Sequence, residues 1–244
     1  MLLRLPTSVS EAQECMAEGA VPIGGATLIW ATWQRDGFPE QAMSLRDLPE
    51  ANTIGRETLG GAVILNRIDD RVPEALRRAA ATVGTGAVRR TATVGGNIVG
   101  STLRCLLPAA LVLEARAVVL DPDSVYETDL TEVLAKGHLL LGLRWRDPII
   151  SAYRKLPGEA GGPPPLVVAA ALHTADTGGT RLRVAVRDGY DVITESTEYD
   201  AGSDPDYAQV LHDLRRTAVG ALHATAWEAV HELVTDLLSR PSGR

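Results

Sequence analysis

Residues 88–101 read VRRTATVGGNIVGS and contain the glycine doublet Gly95-Gly96. A second doublet, Gly24-Gly25, lies in the stretch IGGAT at residues 23–27. We call residues 23–27 the first glycine loop and residues 93–97 the second. Glycine lacks a Cβ and adopts positive φ readily, so both doublets are expected to present successive backbone amides to an anion. Together the loops predict a diphosphate site, whereas each loop taken singly is more typical of a structural turn.

The composition excludes several classes of function. The 244 residues include 45% hydrophobic and 23% charged residues, as in a soluble globular protein. A formal net charge of −7 argues against a nucleic-acid partner, because phosphate backbones bind cationic surfaces. Two cysteines are too few for an iron–sulfur cluster, and the five histidines show no metal-ligand spacing, so no metal site is predicted. With no signal or membrane-spanning segment, we expect a cytoplasmic protein without a membrane partner.

The hydrophobic pattern of the first 145 residues predicts alternating helices and strands. A β–α–β unit is expected up to about residue 50, with its last strand at 44–48. Helical spacing of apolar residues predicts helices over 73–83 and 108–114. A strand is predicted at 117–120. These alternating elements indicate small α/β layers.

The remaining residues follow a Pro- and Gly-rich stretch at 157–165, which is typical of a boundary. Strands at 166–173 and 181–187, joined by Asp176-Thr177-Gly178-Gly179, predict a hairpin, and a strand at 190–196 is expected to extend its sheet. An apolar stripe over 207–238 predicts one or two helices packed on that sheet. A solvated loop is expected to gather five acidic residues: Glu195, Glu198, Asp200, Asp204 and Asp206.

The stretch at 88–101, followed by LLPAALVLEARAVVL at 106–120, resembles the FAD-binding subunit or domain of molybdenum hydroxylases. This family includes the carbon monoxide dehydrogenase medium chain and the xanthine dehydrogenase flavin domain. IGGATL at 23–28 resembles the family's first pyrophosphate loop, and LGGA at 59–62 resembles a strand between the two loops. SAYRKL at 151–156 is similar to the segment that opens the family's C-terminal lobe. The resemblance extends over roughly residues 1–172.

The resemblance implies an α/β fold, α+β overall, that binds FAD noncovalently. Two small N-terminal α/β lobes, residues 1–52 and 53–147, would form a PCMH-like FAD-binding domain. Residues 148–244 would form a C-terminal antiparallel sheet-and-helix lobe. Matched residue by residue, the following would contact the cofactor: Ile23, Gly24, Gly25, Ala26, Thr27, Thr93, Gly95, Gly96, Asn97, Ser101, Thr102, Leu140 and Lys155.

One departure from the family concerns residue 106. Leu106 occupies the place where the family carries an aspartate that binds the cofactor. A carboxylate accepts a hydrogen bond from a ribose or ribityl hydroxyl, whereas leucine does not. Loss of one such bond costs on the order of 1 kcal/mol, so we expect weaker FAD binding rather than none.

The resemblance leaves three functions open and assigns no catalytic residue. A free-standing FAD-dependent oxidase or dehydrogenase would act on a small-molecule substrate, for instance in a biosynthetic pathway. The medium subunit of a molybdenum hydroxylase would pass electrons between FAD and partner subunits that carry iron–sulfur clusters and molybdopterin. A flavin-free scaffold protein would retain only the fold. The divergent third lobe and Leu106 favour the free-standing enzyme, and self-association into a homo-oligomer is compatible with each interpretation.

Overall fold

The computed structural model of the protein describes residues 1–158, 161–200 and 207–240. Among these residues, no helix has the length and apolar character needed to cross a lipid bilayer. The chain divides into two compact units. The first unit contains Met1–Val72, Val83–Arg104 and Ala115–Trp145. The second contains Pro73–Thr82, Cys105–Glu114 and Arg146–Arg244.

Strands and helices are numbered in chain order. The strands are β1 (Leu2–Arg4), β2 (Val21–Pro22), β3 (Gln41–Met43), β4 (Ile54–Gly55), β5 (Thr58–Gly60), β6 (Arg116–Leu120), β7 (Val125–Asp129), β8 (Leu139–Arg144), β9 (Ile150–Lys155), β10 (Val167–Thr174), β11 (Thr180–Asp188) and β12 (Asp191–Tyr199). The helices are α1 (Val9–Ala17), α2 (Ile29–Asp36), α3 (Glu74–Ala81), α4 (Gly86–Arg89), α5 (Leu107–Val112), α6 (Leu130–Lys136), α7 (Tyr207–Arg215) and α8 (Ala224–Ser239).

The first unit contains two sheets that share a core. Its small parallel sheet has the order β1-β3-β2, and its antiparallel sheet has the order β4-β5-β8-β6-β7. Helix α1 begins where the Ser8 hydroxyl accepts a hydrogen bond from the Glu11 amide, an N-cap that satisfies one of the helix's free donors. A common cluster of buried side chains joins the two sheets: Ala12, Cys15, Ala20, Met43, Leu45, Leu48, Ala51, Leu120 and Leu141.

The second unit is built on an antiparallel sheet of order β12-β11-β10-β9. One face of the sheet packs against α7 and α8 through a continuous apolar core. Alternate residues on β10 and β11, such as Val168, Ala170 and Val184, belong to this core because successive strand residues point to opposite faces. The helical stripe predicted over 207–238 is therefore confirmed as two helices, and the hairpin of β10 and β11 is confirmed as well.

Helices α3 and α5 pack against the same sheet within the second unit, where polar contacts anchor them. The Ser151 hydroxyl accepts a hydrogen bond from the Ala75 amide at 3.1 Å, near the start of α3. At the end of α5, the buried His173 Nε2 donates to the Val112 carbonyl at 2.7 Å. The adjacent Glu114 carboxylate pairs with Arg181 and Arg183 of β11 at 3.0 and 3.2 Å. These contacts hold the C-terminal end of α5 on the sheet.

The mixed α/β architecture expected from the sequence is confirmed, as are the helices over 73–83 and 108–114 within a residue or two at each end. The strands of each sheet also fall inside one of the predicted lobes 1–52, 53–147 and 148–244. Helices α3 and α5, however, fall in the second predicted lobe by sequence but belong to the second compact unit. The lobe boundaries themselves stay a prediction.

The strand predicted at 44–48 is wrong. Strand β3 ends at Met43, and Leu45–Asp47 form a 3₁₀ turn. The Asn52 side-chain amide donates to the carbonyls of Leu45, Arg46 and Leu48 at 3.1, 2.9 and 2.8 Å. These bonds satisfy the carbonyls locally, so the segment does not need a neighbouring strand.

The solvated acidic loop is also wrong in part. Glu195 and Glu198 lie within β12, an edge strand of the second unit's sheet. The Glu195 carboxylate accepts a hydrogen bond from the Ala218 amide at 3.2 Å. Asp200 follows the strand, whereas Asp204 and Asp206 lie outside the described residues. Charged residues on an edge strand are compatible with the strand and discourage its pairing with other chains.

Replacing His173 with glutamine should change the pH dependence of stability. Burial lowers the pKa of His173 below its usual value, because the interior disfavours the charged imidazolium. In the unfolded chain the imidazole of His173 has its ordinary pKa of about 6.5. Between pH 7.5 and 5 this imidazole therefore binds more protons in the unfolded chain than in the folded chain. Stability therefore falls as the pH falls through this window. Urea titrations at pH 7.5 and pH 5 measure the free energy of unfolding at each pH. Between these two pH values, His173→Gln should lose less of this free energy than the wild type. An equal loss in both proteins would show that His173 is not the source of the pH dependence.

Candidate functional site

The first glycine loop connects β2 to α2. It leaves the sheet after the Ile23 amide donates to the Met43 carbonyl at 2.8 Å. It enters the helix where the Trp30 amide donates to the Ala26 carbonyl at 3.3 Å. Ala26 has a φ of 56°, a left-handed conformation that is uncommon for a residue with a side chain. A left-handed residue in such a loop turns successive amides toward one point, as in anion-binding nests.

Four of the five backbone amides of the first glycine loop are available to a ligand. Within the part of the chain that the structure describes, no group accepts a hydrogen bond from the amides of Gly24, Gly25, Ala26 or Thr27. Gly24 and Thr27 are exposed, so these donors are not hidden in a core. Four adjacent donors without a protein acceptor are suited to an anion such as a diphosphate.

The amides of the second glycine loop are used within the protein. The Gly95 amide donates to the Gly61 carbonyl at 2.8 Å, and the Asn97 amide donates to the Thr93 carbonyl at 2.9 Å. The Gly96 amide donates to the Thr93 hydroxyl oxygen at 3.2 Å, which leaves the hydroxyl proton of Thr93 as a donor. The sequence predicts that both doublets present free amides. This prediction agrees with the structure of the first loop, but it is wrong for the amides of Gly95, Gly96 and Asn97 in the second loop.

Close backbone packing, rather than positive φ, explains the glycines of both loops. None of the four doublet glycines has a positive φ. A Cβ on Gly25 would overlap with the Thr91 carbonyl, and a Cβ on Gly24 would lie 2.5 Å from the Thr93 hydroxyl oxygen. The two loops are thus in direct contact within the first unit, although they are far apart in sequence. The expectation that these glycines serve to adopt positive φ is wrong, whereas their role in binding a diphosphate stays a prediction.

The contacts continue from the second loop to β8. Thr93 forms an antiparallel bridge with Ile64. A Cβ on Gly95 would lie 3.1 Å from the Gly61 carbonyl oxygen, and a Cβ on Gly61 would overlap with the Leu140 carbonyl. The side chain of Leu140 is only 3% exposed. A contact between Leu140 and the cofactor would therefore have to involve its backbone or a movement of the side chain.

A π-helix at Gly96–Gly100 begins within the second loop. Such one-turn elements are rare and frequent at functional sites. Beyond it, the Ser101 hydroxyl accepts a hydrogen bond from the Leu103 amide at 3.2 Å, and Thr102 is exposed. Arg104 then adopts a φ of 40°, and its Nε is buried without a partner among the described residues. Ser101 and Thr102 stay predicted cofactor contacts.

Lys155 belongs to the second unit, on β9. Its ammonium group donates to the Thr82 carbonyl at 2.9 Å, where α3 ends. The Tyr153 hydroxyl lies 3.2 Å from the Thr82 hydroxyl, and burial raises the pKa of Tyr153 to about 12. Lys155 therefore stabilises the C-terminal end of a helix, and its role beside a flavin stays a prediction.

Two features of this site were not anticipated from the sequence. The Thr91 carbonyl sets the close approach at Gly25, but a carbonyl leaves no signature in a sequence. The exposed side chain of Trp30 follows the first glycine loop by three residues. It was detectable, because the chain contains only four tryptophans and one phenylalanine.

The fold and the first glycine loop define the class of a nucleotide-cofactor protein, and sequence comparison identifies the family. The family profile described as "FAD binding domain in molybdopterin dehydrogenase" matches residues 3–143, more than half of the chain. The protein belongs to this family, its cofactor is FAD, and at a coarse level it is an oxidoreductase flavoprotein. The chain has no significant match among curated protein sequences.

Solved structures show the same fold at low sequence identity. A chain of the Cu,Mo-CO dehydrogenase, in its cyanide-inactivated form, has 19% identity and a TM-score of 0.66, with 80% of this chain and 77% of that chain covered. Reconstituted CO dehydrogenase from Oligotropha carboxidovorans gives the same values. Quinoline 2-oxidoreductase from Pseudomonas putida 86 has 16% identity and a TM-score of 0.68, with 98% and 95% covered.

The residues of the first unit fit FAD. The free amides of the first glycine loop match the charge of the diphosphate, and the proton of the Thr93 hydroxyl is a further donor. Leu106, at the family's aspartate position, belongs to the second unit and is fully buried. Weaker FAD binding through the loss of a carboxylate at that position stays a prediction.

Replacing Gly25 with alanine should destabilise the protein strongly. The added methyl group would overlap with the Thr91 backbone, which cannot move without breaking the contact between the loops. We expect a loss of about 3 kcal/mol in the free energy of unfolding. Gly100→Ala is the matched control, since its Cβ would meet nothing within 4 Å, and it should change stability by less than about 1 kcal/mol. Equal effects of both variants in urea titrations would refute the packing argument.

Proposed function

We propose that the protein is the flavin-carrying component of a multi-chain oxidoreductase. The observation that carries this proposal is the extent of the structural similarity, which includes the C-terminal sheet-and-helix region and covers 98% of the chain. The sequence in this region departs from the family, yet its fold is retained. Retention of a complete unit with no assigned catalytic residue is best explained by contacts with partner subunits. By analogy with CO dehydrogenase, these partners would carry iron–sulfur clusters and a molybdenum centre.

In this function, the chain's own residues bind and orient the cofactor. The amides of Gly24, Gly25, Ala26 and Thr27 would donate to the diphosphate, and the Thr93 hydroxyl would add a fifth donor. The contact between the two glycine loops fixes these donors before the ligand arrives, which lowers the entropic cost of binding. Bound FAD supplies reversible electron transfer through its isoalloxazine ring.

A free-standing oxidase or dehydrogenase is the second candidate. The burial of Leu106 favours it, because the loss of the family's carboxylate indicates that the site has diverged from that of the complex-forming subunits. A flavin-free scaffold is not retained as a candidate, since the family binds FAD.

Replacing Thr27 with aspartate should weaken FAD binding without disturbing the fold. Thr27 is exposed, and a carboxylate there would repel the diphosphate at the free amides. An acidic residue just before α2 is favourable for the helix, so the protein should remain folded. In calorimetric titrations of the apoprotein, we expect FAD affinity to fall by at least about tenfold.

The matched control is Thr27→Asn, which has nearly the same shape as aspartate but no charge. Its FAD affinity should stay close to that of the wild type. The difference between the two variants should shrink at high salt, because ions screen exposed charges. If Thr27→Asp binds FAD as tightly as Thr27→Asn at low salt, the diphosphate does not lie at the first glycine loop.

The proposed assembly is tested by the composition of the protein purified from its own cells. A tagged copy expressed at its natural level should elute far above the 26.0 kDa of the single chain. The same fraction should contain iron and molybdenum in fixed proportion to FAD. FAD without either metal would favour the free-standing enzyme instead.

A further inference from the structure

An exposed pair of aromatic rings follows the first glycine loop. Trp30 and Phe38 are 44% and 46% exposed, and their ring centroids lie 5.1 Å apart in an edge-to-face arrangement. Trp33 is only 7% exposed, and its ring packs against Phe38 with the two ring centroids 6.2 Å apart. Edge-to-face packing on a buried ring limits the freedom of Trp30 and Phe38. The result is a supported aromatic surface that faces solvent.

Trp30 lies in the first turn of α2, directly after the first glycine loop. The hydrogen bond from the Trp30 amide to the Ala26 carbonyl places Trp30 one helical turn after Ala26. Helical side chains lean toward the N-terminus of their helix and cover the preceding turn. This lean favours a position of the Trp30 indole near the amides of residues 24–27, which have no acceptor among the described residues.

We infer that the indole of Trp30 is the stacking surface for the adenine ring of FAD. This inference rests on the proposed position of the diphosphate at the first glycine loop. Adenine is separated from that diphosphate by a single ribose, so it must lie near the donors that hold the phosphates. An exposed aromatic side chain in the turn that follows these donors matches the chemistry of a purine, since bases stack on exposed aromatic side chains.

The stacking surface makes Trp30 a specificity-determining residue. FMN has the same flavin ring as FAD but lacks the adenosine, so it gains nothing from Trp30. ADP has the adenosine and the diphosphate but no flavin, so it should bind through the same two features as FAD. Trp30 therefore favours the dinucleotide over the mononucleotide.

The test compares the binding of FAD, ADP and FMN to the full-length apoprotein by calorimetry. In Trp30→Ala, we expect the affinities for FAD and ADP to fall by about tenfold each and the affinity for FMN to stay unchanged. Trp30→Phe keeps a flat ring and should bind FAD within about threefold of the wild type. Tyr190→Ala, which removes a 61% exposed aromatic residue from a different unit, is the matched control and should bind all three as the wild type does.

The outcomes separate this inference from the proposed function. If Trp30→Ala binds FAD and ADP as tightly as the wild type, the stacking role is refuted while the diphosphate site stands. If Trp30→Ala binds FAD and ADP normally but no longer co-purifies with its iron- and molybdenum-containing partners, the aromatic pair is a protein interface. The stacking role is then refuted as well. Equal losses for FMN and FAD would also refute it. If the wild type binds neither FAD nor ADP, both proposals fall. Thermal unfolding of each variant checks that the fold is intact. If Trp30→Ala does not fold, the test relies on Trp30→Phe, whose FAD affinity should stay within about threefold of the wild type.

Discussion

The close approach of the Gly25 backbone to the Thr91 carbonyl is the constraint on which the first unit depends. It leaves no room for a side chain at Gly25 and brings together two loops that are far apart in sequence. The same kind of contact recurs where Gly95 meets Gly61 and where Gly61 meets Leu140. A row of backbones packed this tightly is rigid. The free amides of the first glycine loop are therefore held in place by the protein, and a ligand does not have to order them.

The sequence was informative wherever a local pattern dictated the structure. The two glycine loops, the hairpin turn before β11 and the apolar stripe of α8 were all identified from residues alone, because turn chemistry and periodicity act over short distances. The secondary-structure predictions were wrong where a contact with a residue elsewhere in the chain determined the local structure. Asn52 makes a 3₁₀ turn of a segment that has the composition of a strand. Glu195 occupies a strand because that strand lies at an edge.

The two glycine loops illustrate the limit of motif recognition. Both contain a doublet beside a threonine, and the sequence assigns them the same role. The structure distinguishes them, because the partners of their amides depend on neighbours such as Gly61 and Thr93. Among the described residues, the amides of Gly24, Gly25, Ala26 and Thr27 have no acceptor, whereas those of Gly95, Gly96 and Asn97 donate within the protein. The second loop supports the first and contributes a hydroxyl group. Which of two similar motifs binds is thus a property of the tertiary structure.

The π-helix at Gly96–Gly100 restricts how the chain can change in length. A π-turn contains one residue more than an α-helical turn, so loss of any single residue there would leave a regular helix. Each residue of an α-helix advances the chain by about 100° around the axis. Ser101 and Thr102 would then face another direction, and the strained backbone at Arg104 would have to form elsewhere. Insertions and deletions should be rarer in these five residues than substitutions, even though Gly100 has open space beside it.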